Sequence, residues 1–157
     1  MKRHSPYLIF SILLLIADQV TKHFIVRSIP LYESRSVIKG FFDLTHIQNR
    51  GAIFGFFNQS DSGIIRFGLL AASLIALVFI LVYFFHTSPT EKMLKLSLTL
   101  ILAGAAGNMA DRIIKGYVVD FLDFFAGGWH FPAFNVADSC ITCGAALLIF
   151  VFFFRKG

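Results

Sequence analysis

Four long apolar runs divide this chain, and polar residues gather between them at one set of ends. Residues 7–26, 64–85, 93–112 and 136–154 each approach the ~20 residues needed to cross a bilayer. The first run keeps a polar outer third, Asp18, Gln19, Thr21 and Lys22, where a cleaved leader would end in small residues. It therefore predicts a retained helix rather than a signal peptide. Arg66 interrupts the second run near its start, and Arg155-Lys156-Gly157 stops the fourth. The pattern predicts a mainly α membrane protein, a single integral-membrane domain over residues 1–157 with four transmembrane helices.

Four spans put both termini on one side. Lys2, Arg3, Lys92, Lys95, Arg155 and Lys156 crowd into short segments beside helix ends, the arrangement that the positive-inside rule counts. Five more Lys and Arg are spread through the longer opposite loops. The termini are thus expected in the cytoplasm, with the long loops, including Gln59 and Gly128, outside. In the first of these loops residues 42–47 have strand-like composition, punctuated by Gly40 and Gly51, and predict a small sheet on the membrane surface. In the second, residues 121–129 are rich in aromatics suited to the interface; Gly127-Gly128 breaks them and Pro132 precedes the last helix.

Composition agrees. A 57% hydrophobic chain with 20 Phe, 15% charged residues and a mean hydropathy of +0.75 is too apolar for a soluble globule. The net charge of +5 does not suggest a nucleic-acid partner, because the basic residues flank apolar runs instead of forming one face. Cys140 and Cys143 form a C-x-x-C inside an apolar run without partner ligands and read as helix-packing residues, not a metal or redox site. The chain has no H-E-x-x-H, no G-x-S-x-G and no G-x-x-x-x-G-K.

What remains is a set of carboxylates. Asp111, Asp120 and Asp138 lie where apolar helices meet the outer water, and acids near hydrocarbon are costly enough to suggest function. At ~1.5 Å per residue, Asp18 lies ~18 Å from Pro6, Asn108 ~20 Å from Lys95 and Asp138 ~25 Å from Arg155. All three fall in the outer half of a core ~30 Å thick. Asn108 and Asp111 are three apart, as are Asn135 and Asp138, so each pair shares a face if helical. Gly104 and Gly107, with Ala103, Ala105 and Ala106, predict close packing of the third helix.

Structural explanations exist for several of these residues. Asp111-Arg112 reads equally as a helix-end ion pair, Asp18 and Lys22 as an intrahelical pair, and Asn49-Arg50-Gly51 as a turn. Asp120 and Asp138 have no basic residue at helical spacing. If the fold brings them together, burial and mutual repulsion make the pair share a proton near neutral pH. One ionised and one protonated carboxyl can activate a water and protonate a carbonyl oxygen, as in aspartic proteases. Asp123 could stand in for Asp120.

Five segments then occur in order: Asp18-Gln19-Val20-Thr21-Lys22, Asn49-Arg50-Gly51-Ala52-Ile53-Phe54-Gly55, Gly107-Asn108-Met109-Ala110-Asp111-Arg112, Val118-Val119-Asp120-Phe121 and Phe131-Pro132-Ala133-Phe134-Asn135-Val136-Ala137-Asp138. Together they resemble the lipoprotein signal peptidases, the type II signal peptidases of bacteria, across nearly the whole chain. The resemblance implies four transmembrane helices with an extracytoplasmic β-cradle in the bacterial cytoplasmic (inner) membrane. It implies an aspartic endopeptidase that cuts diacylglyceryl-modified prolipoproteins just before the lipidated cysteine, working as a monomer among membrane lipid, without metal or cofactor, and inhibited by globomycin-type compounds. By motif position the catalytic pair falls on Asp120 and Asp138. Asp18, Lys22, Asn49, Arg50, Gly51, Asn108, Asp111, Arg112 and Asn135 would support the site or contact substrate.

The competing reading is a small proton-coupled transporter or channel subunit using Asp18, Asp111 and Asp138 as a relay. Such a relay needs acids in the cytoplasmic half of the spans, and the four runs have none there.

Overall fold

The computed structural model describes residues 4–51 and 63–154. Ala52 to Gly55 of the second motif and Gln59 lie outside the described residues. Four helices form: α1 (Ser5–Ser28), α2 (Gly63–His86), α3 (Lys92–Lys115) and α4 (Val136–Phe154). All four are long and apolar enough to span a membrane. They overrun the apolar stretches by a few residues at several ends, and backbone N–H groups of Ile29 and Gly116 close α1 and α3. Pro6 sits in the first turn of α1, where its missing N–H costs nothing. Gly116 closes α3 at φ 78°, a left-handed position that suits glycine, and its N–H caps the Arg112 carbonyl.

Helix α3 is the centre of the bundle. Burial covers 61% of its apolar stretch against 6% for α2, so α3 carries the contacts and α2 faces mostly lipid. Its small residues explain the packing. A Cβ on Gly104 would stand 2.2 Å from the Ala137 carbonyl oxygen, and one on Gly107 would stand 2.7 Å from Asp18 Oδ2. Only glycine lets α4 and α1 come this near. At the other end the fully buried Lys95 donates to the carbonyls of Phe84 and of Thr87, the latter at 3.0 Å. A cation on the free carbonyls at the end of α2 anchors that helix to α3.

The two loops between helices on the far side build an antiparallel sheet in the order β1-β2-β3-β4, with β1 (Ser34–Ile38), β2 (Phe42–Asn49), β3 (Val118–Ala126) and β4 (Trp129–His130). The expected strand at 42–47 is β2. The aromatic segment 121–129, by contrast, is largely strand: Phe42 pairs with Phe124, and their rings stack at 4.5 Å. Val119 and Phe121 close a small core against Ile25 and Ile29 of the α1 end, which seats the sheet on the helices.

Two irregularities aim the sheet at the bundle. Leu44 pairs with Leu122 and Ile47 with Asp120, three steps along β2 against two along β3, which is a bulge. A bulge turns the following residues, here through Asn49, to a new face. The chain entering α4 also runs beside β3: Phe134 accepts from the Leu122 N–H at 2.8 Å and donates back to its carbonyl at 3.2 Å. That exchange delivers Asn135 to Asp120.

Candidate active site

The spacing of Asn135 and Asp138 is realised as a reciprocal helix cap, not as two residues along one helical face. Asn135 precedes α4, and its Oδ1 accepts the Asp138 N–H at 2.9 Å. Asp138 Oδ2 accepts the Asn135 N–H at 3.2 Å in return. This capping box fixes the Asp138 rotamer through the helix start itself. Asp18 completes the cap from α1, its Oδ1 accepting the Ala137 N–H at 2.9 Å.

Asp120 is buried on β3 and receives two side-chain amides, Asn135 Nδ2 on Oδ1 at 2.7 Å and Asn49 Nδ2 on Oδ2 at 2.9 Å. Asn135 therefore touches both members of the expected pair. Asp138 Oδ1 takes a third amide, Asn108 Nδ2 at 2.7 Å. Each of the four carboxyl oxygens is thus held by a donor. Burial, and next the negative charge of Asp138, push the Asp120 carboxyl up to about 7, and the two amides oppose this only in part.

Beneath the pair lies a charge cluster that also fixes Asn108. The Lys22 ammonium, fully buried, sits 2.8 Å from Asp18 Oδ2 and 2.9 Å from Asp111 Oδ2 and donates to Asn108 Oδ1 at 3.0 Å. The intrahelical Asp18–Lys22 pair is present, but Lys22 reaches two residues of α3 as well. With its oxygen on a cation, the Asn108 amide must turn its N–H toward Asp138. Asp111 pairs with Lys22 and with Lys115, at 2.8 Å, and not with Arg112. Lys115 was absent from the sequence reading although it stands four residues from Asp111, a spacing that signals such a pair. Gln19, from the polar end of the first run, ties α1 to the Gly107 carbonyl at 3.2 Å.

The remaining expected residues lie around this core. Arg112 donates to the Gly51 carbonyl at 3.4 Å, and Arg50 is exposed on the rim beside it. Asn49 accepts the Gly51 N–H at 2.9 Å, so the segment is a turn and a site element together. Asp123 does not replace Asp120. Three places along a strand puts it on the opposite face, where it pairs with His130 at 3.0 Å.

Two apolar cavities open from the site. One, of about 310 Å³, lies under Phe131 and Phe134 along the first turns of α4 from Asp138 to Cys143. The other, of about 290 Å³, runs between α2 and α3 from Ile80 and Ile101 up to Asn108 and Arg112, and Ile141 of α4 lines both cavities. Among the described residues no group of three or more His, Cys, Asp or Glu is arranged to hold a metal ion.

These observations define a multi-pass membrane protein with two amide-held carboxyls, one buried and one partly buried, where its helices meet a small sheet. Comparison with known proteins gives the family. The family described as Signal peptidase (SPase) II matches residues 10–154. Lipoprotein signal peptidases of Desulforapulum autotrophicum and Burkholderia vietnamiensis are each 42% identical over 146 residues, 93% of this chain and 90% and 86% of theirs. Two solved bacterial membrane enzymes superpose with TM-scores of 0.77 and 0.82 at 31% and 33% identity, covering 95% and 97% of this chain and 88% and 95% of theirs. The chain belongs to the signal peptidase II family of membrane peptidases.

Proposed function

We propose that this protein removes signal peptides from prolipoproteins by aspartic catalysis, with Asp120 and Asp138 as the reacting pair. The observation that carries the reading is the Asn135 bridge. One residue holds Asp120 through its side chain and Asp138 through its backbone and side chain, at distances of 2.7–3.2 Å.

The chemistry follows from the unequal surroundings. Asp120, with its raised pKa, carries the proton; Asp138, which accepts the Asn135 N–H at the start of α4, serves as the ionised partner. Water attacks the scissile carbonyl carbon as Asp138 takes one water proton and Asp120 gives its own to the carbonyl oxygen. When the tetrahedral intermediate collapses, Asp138 returns a proton to the departing nitrogen and Asp120 recovers one from the new hydroxyl. The C–N bond breaks, leaving a carboxyl on the signal peptide and a free amine on the next residue. Asp18, Lys22, Asn49, Asn108, Asp111 and Asn135 hold the pair in place. Arg50, Gly51 and Arg112 line the approach.

The substrate is a prolipoprotein already carrying diacylglycerol on its cysteine, cut just before that residue. Two apolar cavities next to the site support a substrate with apolar parts. The protein works as a monomer in the bacterial cytoplasmic membrane, with termini inside and site near the outer face, and globomycin-type inhibitors bind there. Incubating the detergent-purified protein with a lipidated prolipoprotein tests the reading: a mass loss equal to the signal peptide supports it, and an intact substrate refutes it.

A further inference from the structure

His46 is buried and titratable, and the chemistry above makes no use of it. It stands in the β2 bulge, between Leu44, which pairs with Leu122, and Ile47, which pairs with Asp120. Its Nδ1 lies 2.9 Å from the Ile29 carbonyl oxygen at the end of α1. A carbonyl only accepts, so Nδ1 carries the hydrogen. Nε2 is buried and has no hydrogen-bond partner among the described residues. A proton there would be a buried donor with nothing to receive it, which favours the same tautomer.

The backbone around His46 binds the same segment. The His46 N–H donates to the Glu33 carbonyl at 3.1 Å, and its carbonyl accepts the Tyr32 N–H at 2.8 Å. Thr45 Oγ1 donates to the Glu33 carbonyl at 3.2 Å. Four hydrogen bonds thus clamp the bulge to residues 29–33. Tyr32 makes the turn at φ 65°, a strained value for a residue with a side chain, which persists only where surrounding contacts hold it.

The clamp decides which way Asn49 faces. In an unbroken ladder continued from the Leu44–Leu122 pair, His46 would stand opposite Asp120, and alternation would turn Asn49 to the other face. The extra residue puts Ile47 opposite Asp120 instead, and Asn49, two residues on, shares its face. From there Asn49 Nδ2 reaches Asp120 Oδ2 at 2.9 Å.

We propose that His46 is a positioning residue for the reacting pair: its Nδ1–H on the Ile29 carbonyl holds the β2 bulge in the register that delivers Asn49 to Asp120. The inference rests on the reading of Asp120 and Asp138 as that pair. His46 acts through Asn49, from the face of β2 turned away from Asp120. Loss of the Asn49 amide carries a signature, because that amide opposes the upward push of burial and Asp138 on the Asp120 carboxyl. Without it the carboxyl keeps its proton to higher pH, while the other charges that act on it, Asp138, Arg112 and Lys22, stay in place.

Purified His46→Leu, His46→Gln and His46→Asn test this on a lipidated prolipoprotein. Leu keeps apolar bulk without a donor, Gln sets its amide one methylene too far out, and Asn sets an amide N–H where Nδ1 stands. The Leu and Gln variants should lose about a hundredfold in kcat with KM little changed. Their alkaline decline of cleavage should move to higher pH. The Asn variant should recover most of the rate and the wild-type pH profile. Adding His46→Leu to Asn49→Ala should cost no more than Asn49→Ala alone. Wild type labelled with nitrogen-15 at its histidines gives a readout that needs no variant to fold: NMR in detergent should show the His46 proton on Nδ1. A wild-type kcat and pH profile in folded His46→Leu, equal rates in the Asn and Gln variants, additive losses with Asn49→Ala, or a proton on Nε2 alone overturns the assignment. Wild type that leaves the substrate intact, or Asp120→Asn that keeps turnover, overturns the parent reading instead.

Discussion

The Asn135 side-chain amide donates to Oδ1 of Asp120, fifteen positions earlier in the chain, at 2.7 Å. The same residue caps the helix that carries Asp138. The site is therefore assembled by the start of α4, and its geometry cannot drift without unwinding that helix end.

Exchange of either carboxyl should separate chemistry from folding. Asp120→Asn and Asp138→Asn are nearly isosteric and should leave the fold and lipopeptide binding in place. Turnover should fall by several orders of magnitude, since proton uptake and return both fail. Cleavage rate, peptide affinity and Tm of the purified variants check this. Substantial turnover in Asp120→Asn would remove Asp120 from the pair.

The charge cluster predicts the reverse pattern. Asp111→Asn leaves the fully buried Lys22 with Asp18 as its one remaining carboxylate. Removing a partner from a buried pair costs roughly 3–5 kcal/mol, and the surviving Asp18 contact places this case at the low end. Thermal unfolding in detergent should show the loss, with measurable turnover surviving in the folded fraction. An unshifted Tm combined with dead enzyme would mean that Asp111 reacts rather than supports.

How far the sequence disclosed this arrangement depends on how local each contact is. Helical runs and the convergence of Asp18, Asn108 and Asp138 were readable because rise per residue fixes depth. Segment 121–129 hid its strand, since aromatic residues suit both an interface and a sheet and the choice lies in distant pairing with β2. The three-residue spacing of Asn135 and Asp138 was visible, but whether it marked a helix face or a cap depended on Phe134 docking on β3. Lys22 reaching Asn108, 86 residues away, left no trace in spacing at all.

Close packing gives a prediction at a distance from the carboxyls. Gly104→Ala places a methyl against the Ala137 carbonyl, backbone that cannot rotate aside, so α3 and α4 must separate. The strain should cost about 1–3 kcal/mol. A ~1 Å shift between Asn108 and Asp138 should lower turnover about a hundredfold. Gly128→Ala meets nothing within 4 Å and serves as the neutral control. Equal Tm and kcat for the two variants would contradict the packing argument.

Orientation is open to a direct test. Single cysteines at Thr90, in the exposed α2–α3 connection, and at Gly128, beyond β3, should lie on opposite sides of the membrane. In intact cells a membrane-impermeant thiol reagent should label Gly128→Cys and spare Thr90→Cys. The opposite labelling would place the site on the cytoplasmic face.

Asp120 also predicts a pH dependence whose sign follows from its environment. Its carboxyl titrates near 7 in the folded protein against an ordinary 3.8. Between those values the native state keeps a proton that the unfolded chain has released. This group's contribution thus makes stability fall as pH rises from about 4 to about 7, then level off. Cleavage should decline above pH 7 as Asp120 loses the proton it must deliver. Melting curves of wild type and Asp120→Asn across pH 4–8 isolate the term, because the difference in Tm between them should change through that window and be constant beyond it. A constant difference throughout would show that Asp120 titrates in the ordinary carboxylate range and would transfer the proton-carrying role to Asp138.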